Sequence, residues 1–370
     1  MSDRVDYSRL DKTLFTRARL NAMTVVVVGA GALGNELIRL LGLLAPGRAI
    51  VVDPDRVEPT NLPRASLFRG REALGRLKTD AVVDAAKDLF PDTEWTGHPC
   101  EIADMGFEDL ASAHVIFGCV DSDLARLETA YIAMKLAIPF VDGGLGRQNH
   151  ARGRVTFFPG TPSAACYGCL LTATRRRELL QVWDSTSHPC MADASADEDG
   201  VASTPTMAAI TAALQVETGF RELFAGDESA TGRAMTVEVR LDPLAVEQFQ
   251  ISPSVSCPFH SMGSARLERL PFDTATCADL LESLSADTLV LDWPVCMDAE
   301  CVECGHRWVP AQRLARLRRH GRCAQCGSAR LQERQTLRSI DRNSPFVRST
   351  PRELGLPARH LYDARRRPVA

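Results

Sequence analysis

Val25-Val26-Val27-Val28-Gly29-Ala30-Gly31-Ala32-Leu33-Gly34 decides the fold. Four β-branched residues predict a buried strand. Three glycines come next in G-x-G-x-x-G order, and the helical pattern Asn35-Glu36-Leu37-Ile38-Arg39-Leu40-Leu41 begins at once. A strand, a glycine turn and a helix in this order aim backbone N–H groups and a helix N-terminus at a phosphate. Alone, the motif says that a nucleotide binds, and its usual ligand is a dinucleotide. The residues around it must identify the nucleotide and the chemistry.

Downstream the same alternation continues. Strands are predicted at 49–53, 95–100, 114–119 and 138–142, with helices at 33–43, 79–89 and 123–137. This order predicts an α/β fold: a Rossmann-like, mostly parallel sheet with helices on its faces. Residues 152–158 and 235–241 predict an antiparallel extension, with a helix over 204–224 between them. Residues 184–203 have no periodicity and predict a long crossover loop. The expected organisation is a large domain over 1–265, a small cysteine-bearing domain over 266–336, and an extended Arg/Pro-rich tail over 337–370.

The net charge of −4 gives no strong basic field, which argues against nucleic acid. No apolar run approaches the roughly 18–20 residues of a membrane span. The polar start Met1-Ser2-Asp3-Arg4 lacks a signal-peptide core, so a cytoplasmic protein is expected. Most of the twelve cysteines fall into C-x-x-C or C-x-x-H groupings, which favours metal over disulfides.

Asp53 ends the second strand, at the distance from the glycine turn where a dinucleotide site needs a ribose acid. The next residues depart from a dehydrogenase. Asp55 comes two residues later, then Thr60-Asn61-Leu62-Pro63-Arg64, then Lys78, and Asp121 sits at the end of strand 114–119. Ligands of open parallel sheets collect at the carboxyl ends of strands. Asp53, Asp55 and Asp121 all lie at such ends, and Arg64 and Lys78 add two cations. Two cations and an acid around a glycine loop suit a triphosphate with magnesium, where positioning and charge neutralisation do most of the work. Hydride transfer to a nicotinamide needs no such clamp.

Gly29-Ala30-Gly31-Ala32-Leu33-Gly34, Asp53-x-Asp55, Asn61-Leu62-x-Arg64, Lys78 and Val120-Asp121-Ser122 together resemble the ThiF/MoeB/HesA-type adenylyltransferases, which share the adenylation fold of ubiquitin-activating enzymes. The resemblance runs from about residue 5 to 262. It implies ATP- and Mg²⁺-dependent adenylation of the C-terminal glycine of a ubiquitin-like or sulfur-carrier protein, with release of pyrophosphate. On that basis Gly29, Gly31, Gly34 and Asp55 belong to the ATP site and Asp53 binds the ribose. Asn61, Arg64 and Lys78 contact phosphates, and Asp121 binds magnesium. Tyr7-Ser8-Arg9 is similar to the family's Arg-Tyr-x-Arg-Gln, whose second arginine enters the partner subunit's ATP site. Asp6 and Leu10 replace the flanking Arg and Gln, so of that motif's two arginines only Arg9 survives; it implies a homodimer.

Two zinc sites are expected. Cys166-Tyr167-Gly168-Cys169 resembles half of the family's structural site, and Cys257-Pro258-Phe259-His260 supplies the other half, with His260 where the family has a cysteine. Three thiolates and an imidazole satisfy tetrahedral Zn²⁺. Cys301/Cys304 and Cys323/Cys326, with 18 residues between the pairs and a glycine after each, match a zinc ribbon. Cys190 lies in the crossover loop where the family has a cysteine that attacks the adenylate, so it is the candidate for a thioester. Neighbouring His188 would help its deprotonation, and Asp193, Asp197, Glu198 and Asp199 would oppose it. The expected partners are the carrier and a conjugating enzyme, in a bacterial ubiquitin-like system of the antiphage kind. The alternatives are adenylation of a small molecule, a peptide or a tRNA, a non-catalytic scaffold, and an NAD-dependent oxidoreductase.

Overall fold

The valine run forms β1 (Thr24–Val28), with Val25 to Val28 all buried. A strand buried on both faces reads as a continuous apolar run rather than an alternation, which marks it as central in a parallel sheet. In the computed structural model, which describes residues 5–146, 151–161, 163–184, 203–224, 233–262, 267–268, 275–357 and 362–365, β1 occupies that place. The other strands of its sheet are β2 (Arg48–Val52), β3 (Glu94–His98), β4 (Val115–Gly118), β5 (Phe140–Leu145), β6 (Arg152–Phe158), β7 (Ala234–Leu241) and β8 (Leu244–Ile251). Their order is β3-β2-β1-β4-β5-β6-β7-β8. The first five are parallel, and β6 to β8 add antiparallel pairs.

A short α1 (Arg17–Asn21) precedes β1, and the parallel strands are joined by α2 (Ala32–Leu44), α3 (Lys78–Leu89) and α5 (Asp123–Leu136). The long α8 (Pro205–Phe224) packs on α2, β5 and β6. In α2 the residues Leu33, Leu37, Ile38 and Leu41 bury one stripe against the sheet. Helix ends fall where local chemistry puts them: Ser122 caps α5 by accepting the Ala125 N–H at 3.2 Å, and Ala137 closes it in the left-handed region. The predicted ends of α2, α3, α5 and α8 lie within one residue of those observed. Strand β8 was not predicted; its exposed edge position mixes Leu244, Val246 and Phe249 with Glu and Gln, so it carries no clear alternation.

The chain divides into two units. The eight-stranded sheet lies in the first, which comprises residues 1–102, 112–171 and 200–263. The second comprises 103–111, 172–199 and 264–370. It contains α4 (Phe107–Leu110), α7 (Ala173–Asp184), α9 (Cys277–Ser283) and α10 (Leu314–His320). Its strands are β9 (Leu267–Glu268), the long β10 (Thr288–Cys301), β11 (Arg307–Trp308), β12 (Gln312–Arg313), β13 (Leu331–Asp341) and β14 (Tyr362–Arg365). β10 pairs antiparallel with β11, β12, β13 and β14. Its register with β13 breaks between Val290 and Val295, around Pro294, which has no N–H for the ladder. Leu337 and Ile340 of β13, with Leu354 and Leu356, join Leu280, Leu281 and Leu289 in this unit's main core. Residues expected to form an extended tail therefore supply a paired strand and core side chains. Their apolar residues are spaced among arginines and escape a compositional reading.

Candidate nucleotide and metal sites

The three glycines of the turn do different things. Gly29 has φ +97°, and a Cβ there would lie 2.7 Å from the Cys119 carbonyl oxygen. At Gly34 a Cβ would lie 2.0 Å from the Gly29 carbonyl oxygen. Those two serve the turn and its packing. A Cβ at Gly31 would meet nothing within 4 Å, so the space above it, at the N-terminus of α2, is open to a ligand.

Asp53 comes directly after β2 and is 5% exposed. Its Oδ2 accepts the Ala30 N–H at 2.7 Å and its Oδ1 the Asp55 N–H at 2.8 Å, so the carboxylate ties the glycine turn to the end of β2. Burial pushes this carboxyl up, by more than Lys78 and the two N–H donors pull it down. Lys78 opens α3 and bonds Asp55 Oδ2 at 2.9 Å. Burial pulls its ammonium down, but the charges of Asp53, Asp55 and Asp121 outweigh that and hold it above its ordinary value. A largely buried ammonium thus bonds one carboxylate and feels the charge of two more, all three placed after the carboxyl ends of β2 and β4. Asp55 and Asp121 are both exposed, and carboxylate oxygens are the donors that the hard Mg²⁺ ion takes.

The 58–64 turn is built by its own side chains. Asn61 Oδ1 accepts the Glu58 N–H at 2.9 Å. Arg64 donates from Nε to the Thr60 carbonyl at 3.0 Å and from Nη1 to Ser203 Oγ at 2.7 Å. Arg9 is exposed, at the start of a 3-10 turn over Leu10–Lys12. Nearby, Tyr7 donates to Asp92 at 2.7 Å and stacks under Arg17, which bonds the Ala45 carbonyl. Ala45 and Asp92 precede β2 and β3, so this segment is anchored at the amino ends of the strands, away from the glycine turn. Cys190 and His188 lie outside the described residues.

Four residues that the sequence reading did not single out also shape this region. Asn35 is fully buried; its Nδ2 donates to the Ala30 carbonyl at 2.7 Å and its Oδ1 accepts the Leu67 N–H at 2.9 Å. The others are Ser203 and the buried pair Arg126–Asp142, whose closest approach is 2.7 Å. An Asn directly after the third glycine is a readable signal. A charged residue inside an otherwise buried helix is a weaker one.

Both predicted metal clusters assemble. Cys166 Sγ lies 4.0 Å from Cys169 and 3.7 Å from Cys257, and Cys169 Sγ lies 3.0 Å from His260 Nε2. Cys301 is 3.5 Å from Cys326, and Cys304 is 3.6 Å from Cys323. A tetrahedron of thiolates around Zn²⁺ has S···S edges of about 3.8 Å, whereas a disulfide is about 2 Å. Both donor sets therefore fit zinc. Cys166 sits at the start of α6 (Tyr167–Leu170), and Cys169 is pushed down by hydrogen bonds from Cys166 and Cys257, the Ser254 N–H and His260. In the second cluster the Gly305 N–H bonds the Cys301 carbonyl and the Gly327 N–H the Cys323 carbonyl, at 2.9 and 2.8 Å. Both glycines have positive φ, as the turns require. Among the described residues no helix is long and apolar enough to cross a membrane.

The model of the ThiF family matches residues 9–258. The adenylyltransferase and sulfurtransferase uba4 of Aspergillus niger is 29% identical over 160 residues, 41% of this chain and 32% of that protein. The Nedd8-activating enzyme E1 catalytic subunit of Drosophila melanogaster is 30% identical over 161 residues, 40% of this chain and 34% of that protein. The chain thus spans 32–34% of the length of these relatives. The crystal structure of E. coli MccB is similar in fold, with a TM-score of 0.52 at 17% identity over 73% of this chain and 75% of that one. With a family match that covers most of its length, the chain belongs to the ThiF family.

Proposed function

We propose that this protein uses ATP to adenylate the C-terminal glycine of a ubiquitin-like or sulfur-carrier protein, releasing pyrophosphate. One observation carries the reading: the Lys78 ammonium, bonded to Asp55, is held above its ordinary value by the charges of Asp53, Asp55 and Asp121, and Asp53 also bonds the glycine turn whose Gly31 faces open space. Hydride transfer would leave this charge cluster without a task. The reacting groups are a carboxylate and a phosphate, both anions. Lys78 and Arg64 lower their repulsion, and the backbone at Gly31 and the α2 N-terminus receives the phosphates. Asp53, fixed by two backbone N–H groups, retains lone pairs for a ribose hydroxyl. Asp121 would hold Mg²⁺, which supplies charge neutralisation to the departing pyrophosphate. No side chain need act as nucleophile in this step.

A second protomer completes the site. The anchoring of Tyr7 and Arg17 keeps Arg9 at the amino ends of its own strands, so its use as a phosphate ligand calls for a homodimer in which Arg9 crosses to the partner's site. The Cys190 thiolate then attacks the acyl carbon of the adenylate, forming a thioester for protein conjugation as the acyl–phosphate bond breaks and AMP leaves. Zinc at Cys166, Cys169, Cys257 and His260, and at Cys301, Cys304, Cys323 and Cys326, is structural.

The test is ATP–pyrophosphate exchange with candidate carriers that end in glycine. Exchange that needs ATP, magnesium and such a carrier, and falls at least roughly 100-fold in Asp121→Ala, supports the reading. Exchange with a peptide terminus or a small carboxylate, but with no carrier, would overturn the substrate assignment. A thiol-sensitive adduct that survives Cys190→Ala removes Cys190 from the mechanism.

A further inference from the structure

We propose that Arg126 is the positioning residue for Asp121, fastening the turn that carries this carboxylate to the buried Asp142 on the neighbouring strand. The proposal rests on the reading of Asp121 as the metal-binding acid and goes beyond it. Between the end of β4 at Gly118 and the start of α5 at Asp123 lie four residues, and Asp121 is the exposed one among them. An exposed carboxylate on so short a turn is a good metal ligand only if its backbone is held.

Three bonds hold it. The Cys119 N–H bonds the Val28 carbonyl at 2.7 Å, fixing the start of the turn to β1. Ser122 caps the helix at the other end. Between these, Arg126 donates from Nη2 to the Val120 carbonyl at 2.6 Å. That carbonyl belongs to the same planar peptide group as the Asp121 N–H, so the bond fixes the direction in which Asp121 leaves the turn.

Arg126 is itself fixed. Its Nη1 bonds Asp142 Oδ2 at 2.7 Å, and Asp142 on β5 is fully buried. Arg154 of β6 approaches the same carboxylate oxygen at 3.8 Å. The guanidinium lies against the backbone of β5: a Cβ at Gly144 would stand 3.0 Å from Nη1. Buried ion pairs contribute little net stability over an apolar pair of the same volume. What this one supplies is a guanidinium of fixed position, one bond from the peptide that sets Asp121.

A double-mutant cycle on the full-length protein tests the proposal. The readout is the Mg²⁺ concentration for half-maximal binding of a non-hydrolysable ATP analogue, measured by calorimetry, with thermal unfolding alongside. Arg126→Gln should raise that concentration roughly 10-fold, the usual scale for losing a group that orients a metal ligand. Analogue binding without Mg²⁺ should be unchanged. In an Asp121→Asn background, Arg126→Gln should raise the Mg²⁺ requirement no further. Gly144→Ala, which crowds the guanidinium and keeps its charge, should move the requirement in the same direction by less. A full additional rise in the Asp121→Asn background overturns the proposal, as does a lower thermal midpoint with an unchanged Mg²⁺ requirement. Pyrophosphate exchange on the wild type separates the two readings: Mg²⁺-dependent analogue binding without exchange sinks adenylation and leaves the positioning role standing. Absence of Mg²⁺-dependent binding in the wild type sinks both.

Discussion

The two cysteine clusters are similar in chemistry and opposite in what they tie together. Cys166 and Cys257 meet across 91 residues of chain, in a unit whose core already runs from Leu20 to Phe220. Cys304 and Cys323 meet across 19 residues, and the core beside them is Cys296, Ala299, Leu314 and Leu317, with Trp308 and Leu331 against it. In the first case a metal would clip two distant segments onto a sheet that burial already holds. In the second, it would stand where a core would be. A ligand set of the same kind can therefore be an accessory or a precondition, according to how much apolar surface lies around it.

Chelation should break this comparison open. Structural zinc in small fingers is worth about 10–16 kcal/mol. Stripping metal from the whole protein should bring hydrogen exchange in 301–331 close to the unfolded rate while β1 and β4 stay protected. Equal loss of protection in both regions would show that the clip is as essential as the ribbon. Cys257→Ala should come next, destabilising the sheet unit by about 4 kcal/mol in denaturant unfolding and leaving exchange in 301–331 unaltered. Gly305→Ala and Gly327→Ala should each cost about 1 kcal/mol, felt only in the ribbon. Both glycines have positive φ, and a Cβ at either would meet nothing within 4 Å, so backbone strain is the whole effect. The smallest change is His260→Cys. Four thiolates bind zinc as readily as three and an imidazole, so zinc content should hold and unfolding should shift by under about 1 kcal/mol. Loss of zinc in that variant would mean that imidazole geometry is required there.

How much is legible in the sequence depends on how local each signal is. The strand at 25–28 and the helix ends at Ser122 and Ala137 are set by residues adjacent in sequence, and the structure agrees with their reading to within a residue. The C-x-x-C and C-x-x-H pairs announce themselves by spacing, and they do converge. Asp53, Asp55 and Lys78 are legible because each sits at the end of a predicted element. Arg126 and Asp142 are not: a charge in a helix reads as solvent-facing until the strand that buries it is known. Ser203 is not legible either, because its partner Arg64 is 139 residues away. The second unit escapes for a topological reason. A reading that moves along the chain places boundaries once, and cannot see that 103–111 and 172–199 belong with residues after 264.

That interleaving sets a timetable for synthesis. Asp104 forms an ion pair with the buried Arg313, 209 residues later, at 2.5 Å. At about 5–20 residues per second the ribosome needs roughly 10–40 s to supply that partner. During the interval β4, α5, β5 and the rest of the eight-stranded sheet emerge on the far side of Asp104, so the first unit must close around an unfinished insertion. α7 waits in the same way for β10. The nascent chain therefore carries two exposed segments that belong to a fold still unmade. A deletion after residue 264 would make that exposure permanent, leaving the remaining chain with orphaned surface rather than a trimmed domain.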